Sequence, residues 1–388
     1  MLKFWMPAAA GMVCLGLGAG LLGIYGFFVK PLSEEFGVGA AVLNMGPVAL
    51  LLVPGFVAPF VGRLADRLPI RRVILAGATL AMLSLIAVSF APTLAIAATC
   101  FVLFAAGVTG YGPVVINGLM VKVYPGREAR ALAIAAIGIS VATATLPPIV
   151  GFLLETTSWR STLGGLAFTL LVLLWLVVLF GVPANAGTER QEAATGDKAF
   201  YRRAEFWLVG LCVALAFNVS IVLSICYPSH FMQTGYSASE AGMLLAFAGL
   251  CGLLGKAAIA WLGDGGKHYA RGIVVGLLVL QAVGLVLLLK AANLPLTLVA
   301  VGMLGFGGGA FIPMHPYLNS RYFDTAIISQ VNGAQMPLFL PFGLLGAPLA
   351  GLSFDRSGSY DTALMVLAAV LVIAMAFALR LPTEKPAA

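Results

Sequence analysis

Apolar runs long enough to cross a bilayer recur along this whole chain, separated by short polar stretches. Continuity of the apolar residues marks twelve of them: 7–29, 39–61, 73–91, 95–121, 131–154, 162–183, 205–229, 239–262, 271–290, 295–319, 326–352 and 361–381. A helix needs about 20 such residues to span the hydrocarbon core. None of the runs alternates apolar and polar positions, as a membrane barrel strand does, so the pattern predicts helices. Helices also satisfy their own backbone amides, which lipid cannot do. The expectation is an all-α membrane protein with twelve transmembrane helices. The opening "MLKFWMPAAAGMVCLGLGAGLLG" has the lysine and apolar stretch of a secretory signal. It continues through "IYGFF" to spanning length, and eleven more runs follow, so it is expected to be retained as the first helix.

The one long polar stretch, "ANAGTERQEAATGDKAFYRRA" (184–204), falls between the sixth and seventh runs. It divides the chain into an expected N-terminal six-helix bundle (1–183), a cytoplasmic linker (184–204) and a C-terminal six-helix bundle (205–388). An internal repeat supports two related halves. Residues 107–126, "GVTGYGPVVINGLMVKVYPG", lie over 305–324, "GFGGGAFIPMHPYLNSRYFD", at an offset of 198, matching Tyr124 with Tyr322 and Asn117 with His315. The same offset carries "GRLAD" (62–66) onto "AWLGD" (260–264), and hence Asp66 onto Asp264. Gly151 and Glu155 fall on Gly351 and Asp355 at an offset of 200. Two similar helical halves around a midplane site are the plan of an alternating-access carrier.

Charge then orients the chain. Only 10% of residues are charged and 61% are hydrophobic, against roughly 25% charged in soluble proteins. Of the 22 Lys and Arg, seventeen fall on the side of both termini and four (Lys30, Arg160, Lys290, Arg356) on the other. The excess predicts that both termini are cytoplasmic. The net charge of +7 reflects this topology and attraction to membrane lipid rather than to nucleic acid. The remaining cation, Lys256, belongs to neither side. Five cysteines scattered inside the runs give no disulfide framework and no metal spacing, so they read as small core-filling residues; no metal and no cofactor is expected.

"GRLADRLPIRR" (62–72), between the second and third runs, resembles the loop motif of the major facilitator superfamily, with a degenerate copy at 260–271. Three further stretches narrow the likeness: "YGFFVKPLSEEFG" (25–37), "SWR" (158–160), and "GK" at 255–256, eight residues before Asp264. Together they resemble the bacterial monocarboxylate and oxalate–formate porter branch, over essentially the whole chain. The resemblance implies two pseudo-symmetric bundles and a gating role for Gly62, Asp66, Arg67, Arg71 and Arg72, with Asp264 as the copy of Asp66. An aspartate at a helix end can accept hydrogen bonds from a neighbouring helix N-terminus, which suits that role. The glycine usual three residues after the aspartate is Pro69 here, which stiffens the turn. A topology-setting loop is the alternative.

The polar residues inside the runs are few. All fifteen acidic residues fall in loops or at run ends, and among ionisable groups only Lys256 and His315 are clearly internal. Lys256 stands about 12 Å inward from Asp264, near the middle of a ~30 Å core. A charge there costs about 2.5–3.5 kcal/mol on insertion scales. Its helical face is Gly249, Gly252, Lys256, Ala260 and Gly263, while Leu250, Leu253, Leu254 and Trp261 lie on the others. A stripe of small residues faces protein or a cavity rather than lipid, and glycines beside a cation are expected to leave room for an approaching group. The anion that Lys256 calls for is then supplied by the substrate. The branch usually has an arginine here, which grips a carboxylate with two hydrogen bonds; lysine offers a point charge that is more readily lost. The structural alternative is a lysine held by carbonyls.

His315 is a second candidate, for substrate or for protons, in a backbone distorted by Pro313 and Pro316 with Asn319 on its face. Ser220, Ser224 and Tyr227 form one polar stripe; Asn332 and Gln335, with Phe339 and Phe342, form another; Asn117 shares a face with Pro113. Tyr25 and Tyr111 offer hydroxyls where the branch is expected to meet its substrate. Each of these also has the plainer reading of a hydrogen bond between helices. Proton-coupled members of the branch often place an aspartate four residues before the cation; that position is Gly252 here, so coupling through Lys256, through His315 or through a protonated substrate stays open, as does exchange of one anion for another.

The expected function is secondary active transport of a small organic anion, above all a monocarboxylate, across a bacterial inner membrane by a monomeric carrier, as proton symport or anion exchange. Efflux of amphipathic compounds is the second carrier reading, and "AIGISVATATLPPIVGFLLE" (135–154) lacks the GP-x-x-GG pattern of drug–proton antiporters. A non-transporting sensor on a carrier fold would need a signalling domain, for which the 21-residue linker and the tail "RLPTEKPAA" are expected to be too short. An enzyme is the least supported class, since no Ser–His–Asp set, zinc spacing or phosphate loop is present.

Overall fold

The computed structural model describes residues 2–38, 40–43, 45–186, 198–236, 238–262, 269–291 and 293–382. These are helical almost throughout, and twelve of the segments are long and apolar enough to cross a membrane. The protein is a multi-pass all-α membrane protein. Its described residues fall into two units. Unit 1 holds Met1–Pro125, Ile134–Asp197 and Asp324–Met336; unit 2 holds Gly126–Ala133, Lys198–Phe323 and Pro337–Ala388.

Unit 1 is built from α1 (Leu2–Gly23), α2 (Tyr25–Phe36), α3 (Ala40–Leu43), α4 (Met45–Arg67), α5 (Ile70–Ser89), α6 (Leu94–Tyr111), α7 (Pro113–Val123), most of α8 (Glu128–Thr156) and α9 (Trp159–Gly181). Unit 2 holds the start of α8, then α10 (Ala204–Gln233), α11 (Ala238–Leu262), α12 (Ala270–Leu289), α13 (Leu294–Phe311) and α14 (Met314–Tyr322). The short α15 (Ile328–Gln335) packs in unit 1, whereas α16 (Leu340–Ser357) and α17 (Asp361–Leu379) pack in unit 2.

Several of the expected continuous helices are interrupted, and proline accounts for most of the breaks. The fourth apolar run divides at Gly112, whose ψ of −162° is extended, and α7 starts at Pro113. The tenth divides in the same way, α13 ending at Phe311 and α14 opening after Pro313. Proline brings no N–H to the ladder, so a helix that ends before it loses little. The two breaks lie in the repeated stretch, so the duplicated halves share a structural irregularity as well as sequence. The eleventh run passes through a 3-10 turn, Met336–Phe339, between α15 and α16. Irregular backbone at membrane depth persists only against protein or a water-filled cavity. The second run extends further than its apolar content implied: α4 carries "GRLAD" in its final turns and stops at Arg67, just before Pro69.

Close helix packing rests on backbone-to-backbone contact. In unit 1, a Cβ built on Gly107 would stand 2.5 Å from the Ala81 nitrogen, and one on Gly77 2.6 Å from the Gly110 Cα. A Cβ on Gly138 would overlap the Met12 carbonyl of α1. Large apolar side chains such as Phe90, Phe180 and Trp261 are more than 70% exposed, the arrangement expected where lipid is the solvent.

One end of unit 1 is held by a polar clamp. Ser158 caps α9 by accepting from the Ser161 N–H at 3.2 Å, which presents the next two side chains to α2. Trp159 Nε1 donates to Glu35 Oε2 at 2.5 Å. Arg160 donates from Nε to Glu35 Oε1 at 3.0 Å, and its Nη2 reaches the same oxygen. The rest of the guanidinium donates to the carbonyls of Ser89 (2.7 Å) and Ala91 (2.9 Å), at the end of α5. A cation there complements the negative end of the helix dipole. The hydrogen bonds from Arg160 hold the Glu35 carboxyl below its usual pKa, outweighing the opposing effect of desolvation, with Trp159 adding to them. Two sequence stretches singled out only by resemblance, 25–37 and 158–160, thus meet.

Two outcomes follow from this packing. Gly138→Ala should lower stability in detergent by about 1–3 kcal/mol, the range for overpacking. Gly165→Ala, at a position where a Cβ meets nothing within 4 Å, serves as its control in a thermal unfolding series. For Glu35 the folded pKa lies below the unfolded one, so its stabilisation is complete above the unfolded value and is lost as pH falls through the folded value. The gap in unfolding midpoint between the native protein and Glu35→Gln should therefore narrow as pH drops below about 4.3, and a gap that stays constant down to the folded pKa would count against the clamp.

Candidate functional site

In unit 2, Lys256 lies in the sixth turn of α11 and is 4% exposed. Leu250 and Leu254 on the same helix are each 55% exposed, and Trp261 is 77% exposed. The lysine therefore points away from the lipid-facing side, as its stripe of small residues implied. The stripe itself behaves in two ways. A Cβ on Gly252 would stand 3.1 Å from the Gly305 carbonyl, and Gly309 abuts Gly252 in turn, so this glycine serves close packing on α13. Gly255 likewise rests on the backbone of Phe306 and Ala310. At Gly249, by contrast, a Cβ would meet nothing within 4 Å. The expectation that the glycines beside Lys256 leave room fails at Gly252, where a neighbouring backbone fills the space; Gly249, seven residues before the lysine, is itself exposed. Gly263 and Asp264 lie outside the described residues.

His315 stands in the first turn of α14, directly after the break at Pro313, and is buried. Its Nε2 is 3.2 Å from Asn319 Nδ2, one turn on. The tautomer of the ring and the orientation of the amide are therefore set together. The ring also packs on Phe339, 5.7 Å between centroids, and Phe339 on Phe217 of α10 at 5.8 Å. Ser220 of α10 is half-buried, its hydroxyl 3.2 Å from where a Cβ on Gly308 would stand. Tyr227 is buried and stacks on Phe231 at 5.3 Å. The Ser224 side chain lies outside what the structure describes.

The remaining candidates belong to unit 1. Tyr25, at the kink between α1 and α2, donates its hydroxyl to the Leu43 carbonyl at 2.5 Å and packs on Phe101. Tyr111 ends α6 fully buried, and its hydroxyl has no hydrogen-bond partner among the described residues. Asn117 is half-buried on α7. Asn332 and Gln335 are buried on α15, in the turns that follow the helix start.

That helix start is where the loop motif acts. Asp66 is buried in the last turn of α4. Its Oδ2 accepts the Gln330 N–H at 2.7 Å and its Oδ1 the Ser329 N–H at 3.3 Å, both orphan donors at the start of α15. Lys122, from the end of α7, donates to Oδ1 at 2.7 Å. Gly62, one turn earlier, is the position at which a Cβ would overlap the Ser329 carbonyl, so only glycine lets the two helices meet. Arg67 and Arg72 are exposed and Arg71 is half-buried. The aspartate-to-helix contact was legible in the motif; its lysine partner was not, because Lys122 read as one of many cations on that side.

Three more polar groups escaped the sequence reading. Gln281 of α12 is 1% exposed and lies beside Gly307 and Gly308, opposite Ser220. Its signal was a lone glutamine in "GIVVGLLVLQAVGLVLLLK". Asn218 of α10 is buried with its amide against Gly346 of α16. His230 lies in the last turn of α10, buried against Phe231.

Comparison with known proteins agrees with this architecture. The chain is 28% identical to monocarboxylate transporter 11 of Mus musculus, over 98% of this chain and 88% of that protein. It is 24% identical to monocarboxylate transporter 13 of Rattus norvegicus, over 97% and 89% respectively. Among solved structures, the human organic anion transporter MFSD10 (TETRAN) superposes with a TM-score of 0.69 at 15% identity, covering 97% of both chains. The proton:xylose symporter XylE bound to 6-bromo-6-deoxy-D-glucose gives 0.76 at 13% identity, over 99% of this chain and 97% of that one. At those identities the two structures speak for the fold alone. The Major Facilitator Superfamily model matches residues 8–336 and 209–388, and with its twelve membrane-length helices the chain belongs to that superfamily.

Proposed function

We propose that this transporter carries a small organic anion, a monocarboxylate, by alternating access, and that Lys256 binds the carboxylate. The observation that carries this reading is the burial of Lys256 within a membrane-spanning helix, on the side turned away from the exposed leucines. A cation held there at a cost of about 2.5–3.5 kcal/mol is retained for function by default. The named substrate class of the monocarboxylate transporters it resembles supports the same chemistry. Ser220, His315 and Gln281 are the polar groups of unit 2 proposed to complete the site. Proton symport and anion exchange both fit, with Lys256 or His315 as the proton carrier in the first case. The excess of Lys and Arg on one side supports cytoplasmic termini, and the proposal extends to a monomer in a bacterial inner membrane, on the motif resemblance alone.

The gating reading extends to Gly62 and Asp66, whose contact with the start of α15 must open for the carrier to change state, and to Arg67, Arg71 and Arg72, which follow them in the loop motif.

The deciding experiment is uptake of a labelled carboxylate panel into proteoliposomes under an acid-outside pH gradient, repeated with anion-preloaded vesicles. Lys256→Gln should lower uptake roughly a hundredfold, the scale of a lost charged hydrogen bond, with Lys256→Arg retaining activity. No carboxylate uptake in either format would overturn the anion assignment. Asp66→Asn should leave carboxylate binding intact, read by a ligand-induced thermal shift, while lowering turnover about tenfold; equal loss of both would make Asp66 a folding residue only.

A further inference from the structure

Tyr124 entered the sequence reading only as the repeat partner of Tyr322. In the structure it takes the C-cap position of α7, after Val123, and is 1% exposed. Its hydroxyl reaches into α1. It accepts from the Ala8 N–H at 3.1 Å and donates to the Phe4 carbonyl at 2.8 Å. Residues 4 and 8 are the acceptor and donor that an α-helix pairs with each other, so the hydroxyl occupies a rung of the α1 ladder. A group inserted in this way is a known cause of helix bending. Pro7, which brings no N–H, already leaves the same turn one rung short. The ring is held as closely as the hydroxyl. Trp5 stacks on it at 5.1 Å with 16° between planes, and Phe4 meets it edge-on at 5.2 Å.

Such a rung can be exchanged. With the hydroxyl in place, the Phe4 carbonyl and the Ala8 amide are both satisfied through it; with the hydroxyl withdrawn, they satisfy each other. Neither arrangement orphans a main-chain group. Tyr124 lies just past the membrane-length segment that ends at Val123, where water can receive a withdrawn phenol. Deeper along the same two helices the contact is of another kind. A Cβ on Gly11 would stand 3.0 Å from the Ile116 side chain and 3.2 Å from that of Met120, so α1 packs tightly on α7 there. The tyrosine is thus a detachable contact at the end of a fixed one.

The repeat makes the position informative. An offset of 198 carries Tyr124 onto Tyr322, the last residue of α14, and α7 and α14 each follow a helix break. The Tyr322 hydroxyl also binds main chain, donating to the Pro382 carbonyl at 2.9 Å, next to the Leu381 carbonyl that accepts from Arg271 at 3.0 Å. Proline has no N–H to return, so that contact is single-ended. Of the two tyrosines, Tyr124 is the one that completes a rung.

We propose that Tyr124 is a positioning residue for transport, which pins the first turns of α1 to the end of α7 by an exchangeable rung. In the change of state the hydroxyl leaves α1 and the Phe4–Ala8 bond closes in its place. The first turns of α1 then move while the Gly11 contact holds. The inference rests on the transport reading but not on the identity of the anion.

The test variant is Tyr124→Phe, which keeps the ring and removes the hydroxyl. It is read by hydrogen exchange of the purified full-length protein, and by initial-rate uptake of whichever carboxylate the native protein carries fastest. Amide exchange over residues 4–12 should rise about tenfold, with residues 14–23 of the same helix unchanged. Turnover should fall about tenfold while KM stays within about twofold, because one state of the cycle alone has lost a hydrogen bond. Trp5→Leu, which leaves the hydroxyl but removes the stacked ring, should move exchange and turnover the same way by less. Unchanged exchange over residues 4–12, or a rise along the whole of α1, would overturn the exchangeable rung. Raised exchange at native turnover would make Tyr124 a structural tie and overturn its part in transport. Were no carboxylate carried at all, the anion assignment would fall, and the exchange pattern would still decide the rung.

Discussion

Helix ends are the points of greatest demand in this protein. Within a span every amide is satisfied locally, but each terminus leaves four donors or four acceptors without helical partners, and near lipid there is little water to take them. The molecule meets that demand with charge of the matching sign. Asp66 receives the N–H groups that open α15, Arg160 covers the carbonyls that close α5, and Arg130 reaches a carbonyl that closes α11. A chain that is only 10% charged places several of its few charges at helix ends. Such contacts are also separable, since a helix end can exchange its partner more easily than an interior turn can lose its ladder. This is the property a carrier needs from its gates.

Between the ends, helices are brought together by the absence of side chains rather than by their size. Gly107 against Ala81, Gly138 against Met12, and Gly252 against Gly309 put backbone on backbone. Lipid tails are as apolar as leucine, so burial of large residues gives no net drive to associate, and close van der Waals contact has to supply it. Around Lys256 the glycines behave in two ways. Gly252 and Gly255 fix the helix against α13, while Gly249, one turn further in, leaves space beside it. The helix that carries the lysine is thereby fixed against α13.

Much of this was legible in the chain. Twelve apolar runs, one mid-chain polar stretch and an offset of 198 are local or periodic signals, and each survives without knowledge of what touches what. The same holds for Lys256, because a cation inside an apolar run is anomalous by composition alone, and for Asp66, whose position at a helix end implies a partner of opposite polarity. Less accessible were the groups whose meaning depends on a neighbour distant in sequence. Lys122 looked like one more cation until it was found on Asp66, and Glu35 carried no message until Trp159 and Arg160 were found beside it.

The sequence by itself therefore determined the solvent, the element type, the number of spans and the two-fold plan, because hydropathy and repeat length are properties of the chain taken one residue at a time. Only the tertiary structure decided where those spans break, which glycines serve packing rather than access, and which charge answers which helix end. Those are pairings between residues tens to hundreds of positions apart, such as Asp66 with Gln330 or Arg130 with Ala260. Their energy exists only once two helices have been brought within hydrogen-bonding distance, and no local pattern encodes that distance.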